Sequence, residues 1–348
     1  MADLRSSRVK LDSKILIVGP SWIGDMVMAQ SLFIALKQKY PDSRLDVLAP
    51  EWCFPVLTRM KEISSMIEAP FKHGELSLKK RTAIGHELKE NGYHQAIILP
   101  NSWKSALVPF FAKIPIRTGY LGEFRYALLN DIRYQSSKRG RKTAENYANL
   151  SQQRNEPLAE LSKPELFIDL ANQAKLIKKH SIKNSLKTVA LCPGAEFGSS
   201  KRWPAAFFAS VARQKKDEGW QVLLFGSEKD NAITKEINTL TNMQCVDLAG
   251  TTSLVESIDL ISLADVVVTN DTGLMHVAAA LKKRIVAIFG SSDPKRTPPL
   301  SFQTAKICYL GLECSPCYKR ECPLGHTHCL KQILPDQIIN EIGALCAS

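Results

Sequence analysis

The chain alternates short apolar runs, rich in β-branched residues, with longer amphipathic stretches, and this alternation occurs twice. Turn-forming residues close the apolar runs, as at the end of KILIVG, residues 14–19. This pattern is typical of parallel strands joined by crossover helices. We predict strands at residues 14–19, 45–49, 95–99, 188–192, 221–226, 266–270 and 285–289, and helices at residues 25–40, 78–91, 102–112, 204–218, 228–239, 254–263, 274–281 and 335–346.

The alternation weakens between residues 133 and 185 and then restarts, which indicates two successive α/β halves. A chain of 348 residues also exceeds what one hydrophobic core usually organises. We therefore predict two domains, residues 1–170 and 171–333, each with a doubly wound parallel sheet. The last segment, residues 334–348, has the pattern of one amphipathic helix, which we expect to pack near the domain junction.

Charge and cysteine content narrow the possible partners and compartment. The net charge is +12, which suits an anionic partner such as nucleic acid, an acidic membrane surface or a phosphorylated substrate, although a merely basic surface would also explain it. No apolar run approaches the roughly 20 residues that span a bilayer, and the N-terminal segment is polar. Nine cysteines are an odd number for a disulfide scaffold. We expect a cytoplasmic protein with mostly reduced thiols.

In open parallel sheets, ligands bind at the carboxyl ends of the strands, so the loops after the strands are the place to look. The first such loop is GPSWIGDM, residues 19–26. It departs from G-x-G-x-x-G and has no matching acid after the second strand, so a nicotinamide cofactor is poorly supported. Asp25 lies in the first turn of the predicted helix. It either compensates the helix dipole or acts as a general base at a cleft.

The loop PGAEFGSSKRWP, residues 193–204, also joins a strand to a helix. Its glycines, Gly194 among them, allow backbone N–H groups to approach an anion, and Glu196 lies between them. Lys201 and Arg202 add positive charge within the same loop. The loop therefore predicts a diphosphate site, with a solvated basic loop as the alternative.

Two further loops of the C-terminal half carry polar groups after a strand. Glu228 follows one strand and can accept hydrogen bonds from ribose hydroxyls, or it is an ordinary first-turn acid. The segment TNDTGLMH, residues 269–276, brings Asp271, Thr272, the Gly273 N–H and His276 to a helix start. A first-turn histidine is expected to be neutral, or offset by a bound phosphate. Together with the Lys201 loop, these groups predict a nucleotide-diphosphate site, although the histidine motif alone is weak.

A cysteine cluster near the C-terminus resembles a metal knuckle. Its pattern is C-x2-C-x4-C-x6-C, formed by Cys314, Cys317, Cys322 and Cys329, with two histidines between the last two. Close cysteine pairs suit tetrahedral zinc. The spacing is not that of a standard zinc finger, so we favour reduced or locally paired thiols over structural zinc.

Four ordered segments resemble one known family, the ADP-heptose–lipopolysaccharide heptosyltransferases of glycosyltransferase family 9. They are GPSWIGDMVMAQSL, LPNSWKSALVPFFA, CPGAEFGSSKRWP and TNDTGLMHVAAAL, and the resemblance runs from about Lys14 to the C-terminal helix. It implies the GT-B fold, in which two Rossmann-like domains face each other across a cleft. It also implies inverting transfer of L-glycero-D-manno-heptose from ADP-heptose to the first heptose of the lipopolysaccharide inner core, built on Kdo–lipid A. No organic cofactor or catalytic metal is implied, and the reaction would occur at the cytoplasmic face of the inner membrane.

The resemblance also implies roles for individual residues. Asp25 would be the general base that deprotonates the acceptor hydroxyl, and Lys201 would neutralise the diphosphate leaving group. Gly194, Glu196, Asp271, Thr272, Gly273 and His276 would hold the phosphates and the sugar, and Glu228 the adenosine ribose. Asn101, Ser102, Lys104 and Arg125 are expected to contact the anionic core saccharide. Basic segments at residues 79–81 and 136–142 are candidates for contact with anionic lipids.

Two other functions fit parts of the sequence. A related GT-B transferase with a different sugar-nucleotide donor or core acceptor would share the Asp25 and Asp271–His276 motifs, and only a comparison of donors separates it. A nucleic-acid-binding protein would use the basic surface and the cysteine cluster, and its binding would fall steeply with salt. The sequence contains no recognisable nucleic-acid-binding module, so we expect no nucleic acid partner.

Overall fold

The computed structural model describes residues 13–71, 74–135, 142–154, 156, 158, 160–301 and 305–347. The chain divides into two units, Met1–Pro164 and Glu165–Ser348. The sequence-based boundary lay between residues 170 and 171, after the start of the first helix of the second unit.

The first unit contains a parallel sheet with helices between its strands. The strands are β1 (Lys14–Val18), β2 (Arg44–Ala49), β3 (Ser65–Glu68), β4 (Gln95–Ile98), β5 (Ile116–Tyr120) and β6 (Asp131–Arg133). The helices are α1 (Ile23–Lys39), α2 (Phe54–Leu57), α3 (Leu78–Leu88), α4 (Leu107–Phe111) and α5 (Thr143–Ala148), with short 3-10 turns at Glu51–Cys53, Lys89–Asn91, Trp103–Ala106 and Asn149–Ser151.

The second unit repeats this arrangement. Its strands are β7 (Thr188–Cys192), β8 (Gln221–Leu224), β9 (Val246–Asp247), β10 (Val266–Asn270), β11 (Arg284–Ile288) and β12 (Ala305–Cys308). Its helices are α6 (Leu170–Lys179), α7 (Ala205–Asp217), α8 (Asn231–Leu240), α9 (Leu254–Ile261), α10 (Gly273–Ala280), α11 (His328–Lys331) and α12 (Pro335–Ala347), and 3-10 turns occur at Ser199–Lys201 and Glu228–Asp230.

The two sheets share one strand order. The first is β3-β2-β1-β4-β5-β6, and the second is β9-β8-β7-β10-β11-β12, so both have the doubly wound 3-2-1-4-5-6 topology. Neighbouring strands pair in parallel throughout the described residues, for example Ile17 with Val47 and with Ile97. This confirms the prediction of two Rossmann-like parallel sheets. In such sheets the strand order reverses beside the first strand, here between β1 and β4 and between β7 and β10, and ligands bind at that switch point.

Both central strands are buried on their two faces, as expected for sheets covered by helices on both sides. In β7 the whole strand TVALC is buried, and in β1 the burial begins at Ile15. The polar loops that follow these strands therefore emerge directly from the core. This fixes their backbone positions at the carboxyl edge of each sheet.

The C-terminal helix packs into the core of the second unit. Ile338, Ile342 and Leu345 lie on one face of α12 and join the buried cluster around Trp203 and Phe208. Their spacing of four and three residues is that of an apolar helix stripe. The Trp203 indole N–H also donates to the Ile333 carbonyl at 2.9 Å. The end of the Lys201 loop is thereby anchored to the C-terminal segment.

Within the part of the chain that the structure describes, no helix combines the length and the apolar composition needed to cross a bilayer.

Candidate active site

The switch point of the second unit brings the Lys201 loop and the start of α10 together. The Lys201 ammonium donates to the Asp271 carboxylate, and the Ser292 hydroxyl donates to the same carboxylate oxygen. Asp271 is buried, whereas part of the Lys201 side chain is exposed. A charge-assisted pair of this kind holds a lysine in one orientation while its remaining N–H groups can serve another anion.

Asn270 ties the two loops at their base. It is fully buried, and its side-chain oxygen accepts from the backbone N–H of Trp203 at 3.1 Å. Its side-chain amide N–H donates to the Pro193 carbonyl at 2.7 Å. This role of Asn270 was not predicted from the sequence. A polar residue that ends a fully apolar strand was the available signal, because a buried amide needs partners that only a neighbouring loop can supply.

The start of α10 carries the other predicted anion-binding groups. Thr272 is the N-cap with an extended backbone, and Gly273 is the first helical residue. The first N–H groups of a helix have no intrahelical partner and favour negative charge. His276 is buried on the same turn, and burial lowers its pKa to about 4. The negative charge of Asp271 opposes this shift, and the positive charge of Lys201 adds to it. The imidazole is therefore neutral near pH 7.

Gly194 is a glycine for a steric reason. A Cβ at this position would lie 2.4 Å from the Asp230 carboxylate carbon. Asp230 in turn accepts from the Ser227 N–H and hydroxyl, so the loops after β7 and β8 are packed against each other. The predicted donor residues of both loops therefore belong to one local structure.

Glu196 and Glu228 lie on the exposed side of this structure. The Glu196 carboxylate accepts from the Lys229 ammonium at 2.7 Å, and the pair is largely exposed. Glu228 begins the 3-10 turn after β8 and is also exposed. Lys229, which the sequence analysis did not single out, thus adds a cation beside the predicted ribose-binding glutamate.

The cysteine-rich segment supports the Lys201 loop. The Ser200 N–H donates to the Arg320 carbonyl at 3.1 Å, and the Ser200 hydroxyl donates to the Lys319 carbonyl. The Arg320 guanidinium donates to the Phe197 carbonyl at 3.3 Å. A Cβ at Gly198 would lie 2.2 Å from the Arg320 oxygen, so the contact requires glycine. The segment therefore has a structural role at the Lys201 loop.

Cys314, Cys317, Cys322 and Cys329 are free thiols. Backbone N–H groups, chiefly that of Thr327, lower the pKa of Cys322, whereas burial raises that of Cys329. Among the described residues, no group of three or more histidine, cysteine or acidic side chains is arranged to hold a metal ion.

The switch point of the first unit carries Asp25. It is the third residue of α1 and is partly exposed, in the first turn of the helix. The loop before it is held by the Trp52 indole, which donates to the Ser21 carbonyl at 2.8 Å. Burial raises the pKa of Cys53 to about 12, and the negative charge of Asp25 contributes to that rise. Asp25 therefore lies beside a thiol that stays protonated.

The loop after β4 carries the predicted saccharide-contacting residues. Asn101 is exposed, and Ser102 and Lys104 are partly exposed. Arg125, predicted to contact the acceptor, is instead completely buried. Its guanidinium donates to the carbonyls of Tyr120, Pro100 and Ser102 and to the Ser105 hydroxyl. This corrects the prediction, because a side chain enclosed by its own chain supports the loop rather than contacting a ligand.

Arg81 gives the loop a second support. It is buried, donates to the Lys104 carbonyl at 3.1 Å and to the Leu76 carbonyl at 2.7 Å, and stacks over the Phe71 ring at 3.8 Å. The expectation that residues 79–81 form a lipid-contacting basic segment is therefore wrong for Arg81. Of the other basic segment, residues 136–141 lie outside the described residues.

These features define a class: a protein of two doubly wound α/β units, one of which has a helix start equipped for an anion. Comparisons with known proteins are more specific. The sequence model of glycosyltransferase family 9 (heptosyltransferase) matches residues 81–328. The chain is 42% identical over 342 residues to lipopolysaccharide heptosyltransferase 2 of Escherichia coli strain K12, covering 95% of this chain and 98% of that protein.

Other relatives and solved structures indicate the same family. The chain is 41% identical to lipooligosaccharide heptosyltransferase 2 of Haemophilus influenzae, over 96% of this chain and 99% of that protein. The solved structure of E. coli ADP-heptose lps heptosyltransferase II is similar, with a TM-score of 0.85, 40% identity and coverage of 96% and 98%. E. coli heptosyltransferase WaaC with ADP shares the fold, with a TM-score of 0.71 at 16% identity over 95% and 99% of the two chains. This chain belongs to glycosyltransferase family 9 and is a glycosyltransferase.

Proposed function

We propose that this chain transfers L-glycero-D-manno-heptose from ADP-heptose to the first heptose of the lipopolysaccharide inner core, with inversion at the anomeric carbon. The nearly full-length similarity to heptosyltransferase 2 proteins supports this activity. The observation that carries the donor assignment is the pair of Lys201 and Asp271 at the start of α10, beside the neutral His276. A lysine and a free helix start together suit a diphosphate.

We assign the leaving-group side of the reaction to the second unit. As the bond between the anomeric carbon and the diphosphate oxygen breaks, negative charge develops on ADP. Lys201 is oriented by Asp271, and Asp271 is oriented by Ser292, so the ammonium is in place before the charge develops. A neutral His276 leaves the N–H groups of α10 and Lys201 as the positive elements of the site.

We assign the acceptor side to the first unit. Asp25 would remove the proton of the acceptor hydroxyl as its oxygen attacks the anomeric carbon, and ADP would leave with the bonding electron pair. A single displacement of this kind needs one base and a stabilised leaving group, and no organic cofactor. Asn101, Ser102 and Lys104, on the loop that Arg125 and Arg81 support, would contact the core saccharide.

Because the acceptor is anchored in a membrane and the donor is a soluble nucleotide, we place the reaction at the cytoplasmic face of the inner membrane, with the enzyme peripherally bound. The basic net charge of +12 supports such a contact.

A transfer assay with a panel of donors tests the proposal. Purified enzyme receives mono-heptosylated acceptor with ADP-heptose, ADP-glucose or a UDP-sugar, and ADP or UDP release and product mass are followed. Among these donors, we expect turnover only with ADP-heptose. Preferred turnover of another donor, or of an acceptor without the first heptose, would replace the proposal by a related transferase of the same family.

A further inference from the structure

Two loops at the carboxyl edge of the first unit's sheet form one rigid platform, residues 100–106 and 121–126. The Trp103 N–H donates to the Glu123 carboxylate at 2.7 Å, and a Cβ at Gly122 would lie 2.5 Å from the Asn101 oxygen. The buried Arg125 of the second loop donates to the Pro100 and Ser102 carbonyls of the first loop and to the Tyr120 carbonyl at the end of β5. The loops are therefore joined through side chain, backbone and a buried cation.

The outer surface of this platform is aromatic. Trp103 is 40% exposed, Tyr126 is 53% exposed and Phe124 is 88% exposed. We call these three side chains the aromatic rim. Transfer of aromatic side chains of this size from water to a less polar phase is favourable in free energy. A rim on a fixed platform presents them without a further ordering cost.

The backbone at the tip of the rim has an uncommon conformation. Glu123 and Phe124 are consecutive non-glycine residues with positive φ angles of 46° and 51°. Left-handed backbone is uncommon in such residues, and it persists when surrounding contacts hold it. Here Glu123 is held by the Trp103 N–H. In this conformation Phe124 remains almost wholly exposed to solvent.

A partly exposed cation stands beside the rim. The platform has two basic residues, Lys104 and Arg125, and one acidic residue, Glu123. Arg125 is buried, so Lys104, next to Trp103 in the chain, is the accessible cation, and the whole chain has a net charge of +12. The acidic residue is engaged by a backbone N–H. Aromatic side chains beside cations are the usual composition of surfaces that bind the interfacial layer of anionic membranes.

We propose that Trp103, Phe124 and Tyr126 insert into the interfacial layer of an anionic lipid membrane and hold the enzyme at the surface where its lipid-anchored acceptor lies. This inference rests on the proposed function for the nature of the acceptor. The rim adjoins the predicted saccharide-contacting residues Asn101, Ser102 and Lys104, so an enzyme held by the rim would present that loop to the membrane surface.

Vesicle partitioning tests the lipid contact directly. Wild type and Phe124→Ser are sedimented with vesicles of phosphatidylglycerol and phosphatidylcholine in equal parts, and with phosphatidylcholine alone. We expect Phe124→Ser to lower the partition coefficient for the anionic vesicles roughly tenfold, and Phe124→Trp to retain it. The matched control is Met243→Ser, since Met243 is also an exposed apolar residue, 69% exposed, with a positive φ of 58° in the second unit. Equal partitioning of wild type and Phe124→Ser would overturn the proposal.

Tryptophan fluorescence gives an independent readout. We expect the emission of wild type to shift to shorter wavelength on binding anionic vesicles, and Trp103→Phe to lose most of that shift while the other tryptophans remain. A full shift in Trp103→Phe would show that another surface enters the lipid.

Transfer kinetics separate a lipid contact from a sugar subsite. The acceptor is offered in mixed vesicles and as the same heptosylated saccharide freed of its acyl chains. For Phe124→Ser we expect a higher KM with the vesicle-bound acceptor and unchanged kinetics with the acyl-free one. An equal loss with both acceptors would make the rim part of the saccharide site and overturn the proposal. If wild type transfers to neither acceptor, the proposed function fails, and the partition experiment still decides the role of the rim.

Discussion

The two units have the same strand order but place different chemistry at the corresponding switch points. In the first unit, α1 follows β1 and carries Asp25 as its third residue. In the second unit, α10 follows β10 and begins with Gly273, with the neutral His276 as its fourth residue. The carboxylate in α1 itself supplies the negative charge that a helix start favours, whereas the start of α10 is left for an external anion.

Cations are also used differently in the two units. In the second unit the Lys201 ammonium is partly exposed and is held by a buried carboxylate, so it can meet a ligand. In the first unit the buried cations Arg125 and Arg81 donate hydrogen bonds to backbone carbonyls of the loop after β4. The same framework thus carries a partly exposed cation in one unit and a loop support in the other. Residue type alone therefore does not distinguish a ligand-contacting cation from a supporting one.

The largest expected effect comes from removing the acid of the first unit. Asp25→Asn keeps the shape of the side chain but cannot accept the proton, so we expect kcat to fall by about a hundredfold to ten-thousandfold. Binding of ADP should be unchanged, because we assign the donor site to the second unit. Single-turnover kinetics and calorimetric ADP titration measure the two quantities.

Asp336→Asn is the matched control, since Asp336 also lies in the first turn of a helix, α12. It should leave kcat unaltered. Near-normal turnover of Asp25→Asn would remove the base assignment and would leave dipole compensation as the function of this residue.

The next largest effect tests the cation of the second unit. Lys201→Met removes the charge that we assign to the leaving-group side, and we expect kcat/KM for ADP-heptose to fall about a hundredfold to a thousandfold. ADP should also bind more weakly. Lys282→Met is the control, because Lys282 forms an exposed ion pair with Glu165 in the same unit. Equal effects of the two substitutions would show that general positive charge, rather than the Lys201 site, assists the reaction.

The sequence predicted the central strands well and the edges poorly, for a physical reason. Strands β7 and β10 have the predicted bounds because buried parallel strands are continuous apolar runs. Strands β3, β5, β6, β9 and β12 were not predicted. They lie at or next to the sheet edges, where the segments are short and partly exposed. Such segments lack the continuous apolar run that marks a buried strand.

The candidate site shows a similar division. The positions of the site loops follow from strand ends, so Asp25, Lys201 and Asp271 could be located from the sequence. The side chains that hold these residues in place could not be located from the sequence. Ser292 and Asn270 act across distances of 21 and 67 residues in the chain. The burial of Arg125 depends on how the loop after β4 folds over it. Such long-range contacts leave no local periodicity in the sequence.

A pH experiment probes the neutral histidine of the second unit. The pKa of His276 falls from 6.5 to about 4 on folding, so between these values the unfolded chain binds a proton that the folded chain does not. Stability is therefore lost as the pH falls through this window, by about 3 kcal/mol in total. His276→Gln should flatten this part of the pH dependence in urea unfolding curves. The exposed His328, replaced in His328→Gln, serves as control. An unchanged slope in His276→Gln would show that another group causes the acid destabilisation.

The smallest effect concerns the hydroxyl behind the Lys201–Asp271 pair. Ser292 is buried and donates to the carboxylate that orients Lys201, so Ser292→Ala should leave the charges in place but loosen their geometry. We expect about a fivefold lower kcat/KM for ADP-heptose, equivalent to the loss of roughly one hydrogen bond. Ser210→Ala, on the partly exposed face of α7, is the matched control.

The double variant Ser292→Ala/Lys201→Met makes this test specific. If Ser292 acts only through Asp271 and Lys201, its removal should have little further effect on kcat/KM once Lys201 is absent, so the two losses will not add. Fully additive losses would assign Ser292 a separate contact with the donor. Thermal unfolding of each variant checks that the change in kcat/KM does not follow a loss of folded protein.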